Sequence, residues 1–252
     1  MNRRQGSGCL GCGAAGAVFA VVAVVLVVLA LGYFGFVPGL STLLGGDKPR
    51  DLGVRFTQAD LESYHTKRQG QVVLTTPGAP PADSMAYAGS VDVRASYTSE
   101  ELTAVAAERA GQWAYWPITD WQVKIGQDGT VETSGVIRMD RALGYAAAMG
   151  FPQETVQQAM GALKVVAGNP TFYVRGTGSV TNNRVSLNIQ QAQIGRLPVP
   201  ASLISSNMGA IAAAGEQILD RSGVTIRSAS FAGGQLHFDG TQPQTRSYSP
   251  AP

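Results

Sequence analysis

The side chains that most often carry catalysis or hold metals are few in this chain and far apart in its sequence. The 252 residues include two histidines, His65 and His237, and two cysteines, Cys9 and Cys12. Neither histidine has a cysteine or carboxylate at the spacing of a metal site, and no G-x-S-x-G, H-E-x-x-H or P-loop motif occurs. We therefore expect no enzymatic activity, no metal and no cofactor, although residues distant in sequence can meet in a fold.

The two cysteines form a C-x-x-C pair in a glycine-rich tail. A redox or metal pair of this kind lies beside a strand or helix pattern, and none surrounds Cys9 and Cys12. The overlapping Gly-x-Gly-x-x-Gly run from Gly6 to Gly11 lacks the preceding strand that a dinucleotide fingerprint requires. We reject the nucleotide site, and the role of the two cysteines stays open. No later cysteine occurs, so the rest of the chain is held by packing and not by disulfides.

Flexible apolar side chains are the most useful signal for function. They fall on the inward faces of predicted helices, and methionine suits adaptable apolar surfaces because its side chain is unbranched. Two interpretations stay open, an ordinary core and the lining of an apolar groove that binds lipid. The residues assigned to the groove are Met139, Leu143, Met149, Met160, Leu163, Ile204, Met208, Ile211 and Ile218.

All three tryptophans lie close together, between a predicted helix and a predicted strand. The cluster comprises Trp113, Tyr115, Trp116 and Trp121. One interpretation is a hydrophobic plug that closes one end of the core. The other is an amphipathic rim that touches a membrane or a ligand, because tryptophan and tyrosine carry a polar tip on an apolar body.

Charge excludes several classes of partner. Of the 19 basic residues, Arg3 and Arg4 lie before residue 14, which leaves 17, and all 17 acidic residues follow it. The main part of the chain is therefore neutral. A neutral domain has no electrostatic footprint for nucleic acid or for strong attachment to anionic lipid headgroups.

Turn and capping signals predict the elements that carry these residues. Helices between hairpins, without a βαβ rhythm, indicate an α+β fold around an antiparallel sheet. Hairpins are predicted at three dipeptides that favour tight turns, namely Asp128-Gly129, Asn182-Asn183 and Gly233-Gly234. Helices are predicted from Thr57 to about Arg68, from a capping box at Thr98 and Glu101 to about Gly111, from Asp140 to Met149, from Gln153 to Val166 and from Pro200 to Arg221.

Residues 14–36 form an apolar run of 23 positions without a charged side chain. A helix of that length is roughly 35 Å long, which is enough to cross a bilayer. A cleaved signal peptide is the alternative, but its apolar core is shorter and a small-residue cleavage site follows it. We expect an uncleaved single-pass anchor in the cell membrane, with the N-terminus in the cytoplasm and the domain outside.

These signals predict one domain after the anchor. The expected order is a tail over 1–13, a transmembrane helix over 14–36, a flexible linker over 37–51, an extracytoplasmic α+β domain over 52–239 and a disordered tail over 240–252. The linker would keep the domain close to the bilayer.

Two stretches resemble a known family. The first is the strand Val185 to Ile189 followed by Ile194 to Pro200, with the pattern G-x-L-P-x-P before the long helix, and the second is the hairpin from Phe231 to Gly240. This arrangement resembles small bacterial single-pass envelope proteins that are similar to the tubular lipid-binding (TULIP) superfamily. The resemblance implies a long helix cradled by a strongly curved antiparallel sheet, an apolar groove for acyl chains and no catalytic residues.

The leading hypothesis is therefore a membrane-anchored extracytoplasmic domain that binds lipid or another apolar envelope molecule. The alternative is a structural or protein-interaction module of the cell envelope, with a closed core and no ligand. An apolar cavity on the order of several hundred cubic ångströms, on the side of Met139, Met160 and Met208, would distinguish the two. The sequence does not identify a protein partner.

Overall fold

The computed structural model describes residues 47–152, 154 and 168–252. This part of the chain contains four α-helices, a short 3-10 helix (Pro81–Asp83) and eleven strands. The helices are α1 (Gln58–Arg68), α2 (Ser99–Gln112), α3 (Met139–Ala148) and α4 (Ala201–Arg221). The strands are β1 (Gln71–Leu74), β2 (Met85–Ala88), β3 (Val91–Thr98), β4 (Ile118–Ile125), β5 (Val131–Ile137), β6 (Thr171–Thr181), β7 (Arg184–Ile194), β8 (Leu197–Pro198), β9 (Thr225–Ala232), β10 (Gln235–Gln242) and β11 (Thr245–Tyr248).

The larger sheet is antiparallel and is organised around β6. Its order is β3-β10-β9-β6-β5-β4, with β7 on the other edge of β6 and β8 beside β7. The first half of β6 pairs with β5, from Thr171 to Gly176, and its last residues, Ser179 to Thr181, pair with β9. The β4–β5 and β9–β10 hairpins therefore share one edge of β6, with their turns next to each other.

The smaller sheet has the order β1-β11-β2. β11 is parallel to β1 and antiparallel to β2, so the sheet is mixed. The prediction of a disordered tail over 240–252 is wrong, because this stretch holds the end of β10 and the central strand of the smaller sheet. Tyr248 and Ser249 are buried there. The stretch is polar in composition, but its main chain satisfies its hydrogen bonds in the sheet.

The predicted fold class is also corrected. The described ranges form two sheets, one of them mixed, and not one curved antiparallel sheet behind an N-terminal transmembrane helix. No helix within those ranges is long and apolar enough to cross a membrane. The predicted anchor over 14–36 lies outside the described residues, as do the tail over 1–13 and residues 37–46 of the linker. The fold class that the structure supports is a mixed, sheet-rich α+β domain.

Local signals were more successful. Two of the three predicted turns have the left-handed backbone that their residues favour, with φ of 50° and 60° at Asn182 and Asn183 and of 58° and 77° at Gly233 and Gly234. At the third turn only Gly129 has positive φ, while Asp128 accepts a hydrogen bond from the Thr130 amide at 3.0 Å. The helix predicted over 153–166 lies, apart from Glu154, outside the described residues.

Three clusters of buried apolar residues form the core. One lies under β3, β9 and β10 and includes Val93, Tyr97 and Phe238. The second is aromatic and is centred on Trp113 and Trp116. A third, smaller cluster joins Leu52 and Val54 to Tyr173 on β6. α2 lies beside the first two clusters, because Leu102 and Val105 pack on the first and Ala110 on the second.

Candidate functional site

An apolar cavity of about 370 Å³ lies between α2, the β4–β5 hairpin and the β9–β10 hairpin. Ten of its twelve lining residues are aliphatic or aromatic. They are joined by Thr133 and Arg109, and the full lining is Tyr64, Leu102, Val105, Ala106, Arg109, Trp116, Trp121, Val123, Val131, Thr133, Phe231 and Leu236. The wall of the cavity is therefore apolar, with one cation in it.

The two hairpins meet at their turns and close one side of this cavity. The Gly233 amide donates a hydrogen bond to the Gln127 carbonyl at 3.3 Å. A Cβ atom at Gly129 would lie 2.5 Å from the Phe231 carbonyl oxygen, so only glycine allows this approach. Phe231 and Leu236, which flank the second turn, and Val123 and Val131, which flank the first, reach the same space.

α2 forms another wall because two hydroxyl groups fix it to the edge of β4. Ser99 Oγ accepts from the Ile125 amide at 2.9 Å, and Thr103 Oγ1 accepts from the Val123 amide at 3.1 Å. The predicted capping box begins this helix, with the Thr98 amide donating to Glu101 Oε2 at 3.0 Å. These bonds cover a sheet edge that would otherwise be free, and they set the helix against the hairpin.

A bulge in β4 positions Trp121. The register of β4 against β5 shifts between Thr119 and Gln122, and Asp120 has φ of 50°. Such a bulge turns a side chain away from the regular alternation of a strand. The Trp121 indole N–H donates to Thr133 Oγ1, and the Thr133 hydroxyl donates to the Gln122 carbonyl at 3.2 Å. The Thr133 hydroxyl is therefore already used within the protein.

The tryptophan cluster is divided between the core and the wall of the cavity. Trp113 is 2% exposed and stacks on Tyr248 with ring centroids 5.8 Å apart, as a core residue would. Trp116 and Trp121, with centroids 5.8 Å apart, line the cavity. Tyr115 does not line it, and its hydroxyl donates to the Ala79 carbonyl at 3.0 Å. Half of the predicted rim thus belongs to the cavity wall.

The helical residues assigned to a lipid groove lie elsewhere. None of those within the described ranges lines this cavity. Leu143 and Ile211 are 51% and 38% exposed, and Ile218 packs on the aromatic core cluster. The others comprise two buried residues, Met149 and Ile204, two half-buried residues, Met139 and Met208, and two that lie outside the described residues, Met160 and Leu163. Their assigned role stays a prediction.

A larger groove of about 700 Å³ shares Trp121 with the cavity. Its wall mixes apolar side chains such as Phe56 with the polar groups of Lys48, Arg55 and Asp120. Phe56 is 44% exposed, so this groove is open to water. The smaller cavity has the more apolar wall and is the stronger candidate for binding.

The fold also brings together a serine and a histidine that the sequence separates by 141 residues. Ser96 and His237 face each other across β3 and β10, with Oγ 2.7 Å from Nδ1. His237 Nε2 lies 3.2 Å from the Ala232 carbonyl oxygen, where a hydrolase would place a carboxylate. The nearby Asp239 carboxylate instead binds Arg94 at 2.6 Å and Arg227. The pair lies on an exposed sheet face, and its geometry is that of a cross-strand hydrogen bond.

Comparison of the chain with models of protein families, with curated proteins and with solved structures gave no match. The resemblance to the TULIP superfamily therefore stays a prediction.

Proposed function

We propose that this domain binds an apolar small molecule, such as a single acyl chain, in the cavity between α2 and the two hairpins. The observation that carries the proposal is the composition of the wall, which is apolar except for Arg109 and Thr133. A volume of about 370 Å³ falls within the range of roughly 300–1,000 Å³ that small-molecule sites occupy. It suits one chain or ring system better than a lipid with two acyl chains.

The driving force would be removal of apolar surface from water. Each methylene group buried against the aliphatic and aromatic wall contributes about 0.8 kcal/mol, from which the cost of immobilising the ligand is subtracted. The Thr133 hydroxyl is bonded to Trp121 and Gln122, so it offers little to a polar ligand. Nothing in the wall resembles a nucleophile with a base, so the proposal is binding without catalysis.

The test uses the purified full-length chain and a neutral fluorescent probe, N-phenyl-1-naphthylamine, whose emission rises in apolar surroundings. We expect saturable binding of one probe per chain and displacement by tetradecanol. Ala106 is buried on α2 and lines the cavity, so Ala106→Leu fills the space and is expected to weaken binding at least tenfold.

The matched control is Ala213→Leu, which makes the same change at an exposed position of α4. It is expected to leave probe binding unchanged. Equal probe binding by the wild type and Ala106→Leu would show that the cavity is not the binding site. A protein that binds neither probe nor alcohol would favour the alternative function, a protein-interaction module without a ligand.

A further inference from the structure

One arginine, Arg109, lines the cavity, and Arg68 lies one helical turn after the cavity residue Tyr64 on α1. Arg246 pairs with Val72 on β1, directly after Gln71, whose carbonyl accepts a hydrogen bond from Arg68. We refer to Arg68, Arg109 and Arg246 as the arginine cluster. Arg68 on α1 is 1% exposed and Arg246 on β11 is 6% exposed, while Arg109 on α2 is half-buried and lines the cavity. The charges of Arg246 and Arg109 both act on Arg68. Burial, and then repulsion by Arg246, lowers the pKa of Arg68 from 12.5 to about 10, so Arg68 is still a cation at neutral pH.

The hydrogen-bonding capacity of this cluster is largely unused. A guanidinium group has five N–H donors. Arg68 donates to the Gln71 carbonyl at 3.3 Å and Arg246 donates to Gln242 Oε1 at 3.0 Å, and among the described residues the buried Nε of each has no partner. Within the described ranges, the Arg109 guanidinium donates no hydrogen bond, and its carbon lies 5.0 Å from the centroid of the Trp116 ring.

No carboxylate of this chain neutralises the cluster. None of the three arginines belongs to an ion pair within the described ranges. All 17 acidic residues of the chain lie in those ranges, so the remaining residues have no Asp or Glu to contribute. A buried cation without an anion is unfavourable in a folded protein, so an anion that reached the cluster would remove this cost.

We infer that the arginine cluster is the anion-binding end of the cavity and that the ligand is an amphipathic anion, an apolar chain that ends in a carboxylate or a phosphate. The chain would lie against Leu102, Val123 and Phe231, and its anionic oxygens would accept hydrogen bonds from Arg109. The planar guanidinium fork matches both headgroups. Arg68 and Arg246 would add to the positive potential at this end of the cavity. This inference rests on the proposed function and names its ligand class.

The test compares three ligands that have the same chain, tetradecanoate, tetradecyl phosphate and tetradecanol, as competitors of the naphthylamine probe on the full-length protein. We expect at least one anion to bind about tenfold more tightly than the alcohol, and the tighter of the two anions identifies the headgroup. Arg109→Met is expected to abolish this preference while tetradecanol binds as before. Arg109→Lys keeps the charge and is expected to retain part of the preference.

The matched control is Arg94→Met, which removes an arginine that is 84% exposed on the outer face of the larger sheet. It is expected to keep the full preference for the anion, and circular dichroism checks that each variant is folded. Equal affinity for alcohol and anions in the wild type would overturn the inference but leave the proposed function standing. Equal weakening of all three ligands by Arg109→Met would also overturn it, since Arg109 would then act by packing. Failure of all three ligands to bind would overturn both this inference and the proposed function.

Discussion

Arginines on the outer face of the larger sheet and arginines at the cavity have opposite environments. On the outer face, Arg94 and Arg227 are exposed and bind carboxylates, Arg94 to Asp239 at 2.6 Å and Arg227 to Asp92 at 2.8 Å. At the cavity, the arginine cluster is largely buried and has no carboxylate. The neutral balance of the domain conceals this separation. Net charge therefore describes the surface of this protein and says little about its cavity.

A third group of residues shows that the interior can also pair a cation with an anion. Lys67 on α1 and Glu101 on α2 form an ion pair at 2.6 Å, and the Glu101 side chain is 4% exposed. Glu101 also accepts hydrogen bonds from Ser63 and from the Thr98 amide. The same two helices carry Arg68 and Arg109, which have no such partner. The lack of a carboxylate at the cluster is thus a local property and not a general feature of the core.

Removal of the paired interior carboxylate should have the largest effect. Glu101→Gln breaks the pair with Lys67 and weakens the capping box of α2, so we expect the free energy of unfolding to fall by roughly 3 kcal/mol. Urea unfolding measures this free energy. Glu100→Gln, at the adjacent half-exposed position, is the control and should change stability far less. Similar losses in both variants would show that the pair contributes little.

The comparison can also be reversed by giving the cluster the carboxylate that it lacks. Gln242 is buried and accepts a hydrogen bond from Arg246, so Gln242→Glu introduces a charge with almost no change in shape. We expect the ligand-free protein to become more stable by about 1 kcal/mol, because a charge-assisted bond replaces a neutral one. Thermal and urea unfolding measure the stability, and the variant should also bind tetradecanoate less tightly. A loss of stability would indicate that the cluster is already neutralised.

The interior pair should also make stability depend on pH. Burial of Glu101 acts to raise its pKa, but hydrogen bonds from Lys67, Ser63 and Thr98 outweigh burial and lower the pKa below 4.5. A group with a lowered pKa in the folded state stabilises the protein above its unfolded pKa, and this contribution disappears as the pH falls through the folded pKa. Urea unfolding of the wild type and of Glu101→Gln between pH 7 and pH 3 measures this contribution of Glu101 to stability. We expect the two stabilities to converge at low pH, and a constant difference would contradict this.

The smallest effect is expected on the outer face. Arg94→Met removes a pair between exposed groups, which water and salt screen, so we expect no measurable change in the unfolding midpoint. The measurement is urea unfolding at low and high salt. A clear loss of stability at low salt would mean that the outer face is an electrostatic network and would weaken the contrast with the cavity.

The sequence predicted those parts of the fold that depend on neighbouring residues. The turns at Asn182-Asn183 and Gly233-Gly234 and the capping box at Thr98 follow from local backbone chemistry, and the structure confirms them. β1 and β11 were missed, because each has four residues and their partners are more than 170 positions apart in the chain. Short strands give too little alternation to be seen, and long-range pairing leaves no local signal.

The cavity was missed for a related reason. The sequence drew attention to methionines on helical faces, whereas the structure forms the wall from residues beside two hairpin turns. Val123 and Val131 lie on the two strands of one hairpin, and Phe231 and Leu236 lie on the two strands of the other. The alternation of apolar and polar residues was therefore visible within each hairpin. Nothing in either hairpin shows that they share one edge of β6. The burial of Arg68 was not predicted either, since a basic residue in the last turn of a polar helix normally faces solvent.

The position of β11 has a consequence for the order in which this domain is completed during synthesis. β1 leaves the ribosome early but has its parallel partner only when residues 245–248 have been made. Arg246 lies on that same strand, so the arginine cluster is complete only when β11 is in place. β1 and the arginine cluster therefore both wait for a strand that is made long after α1 and α2.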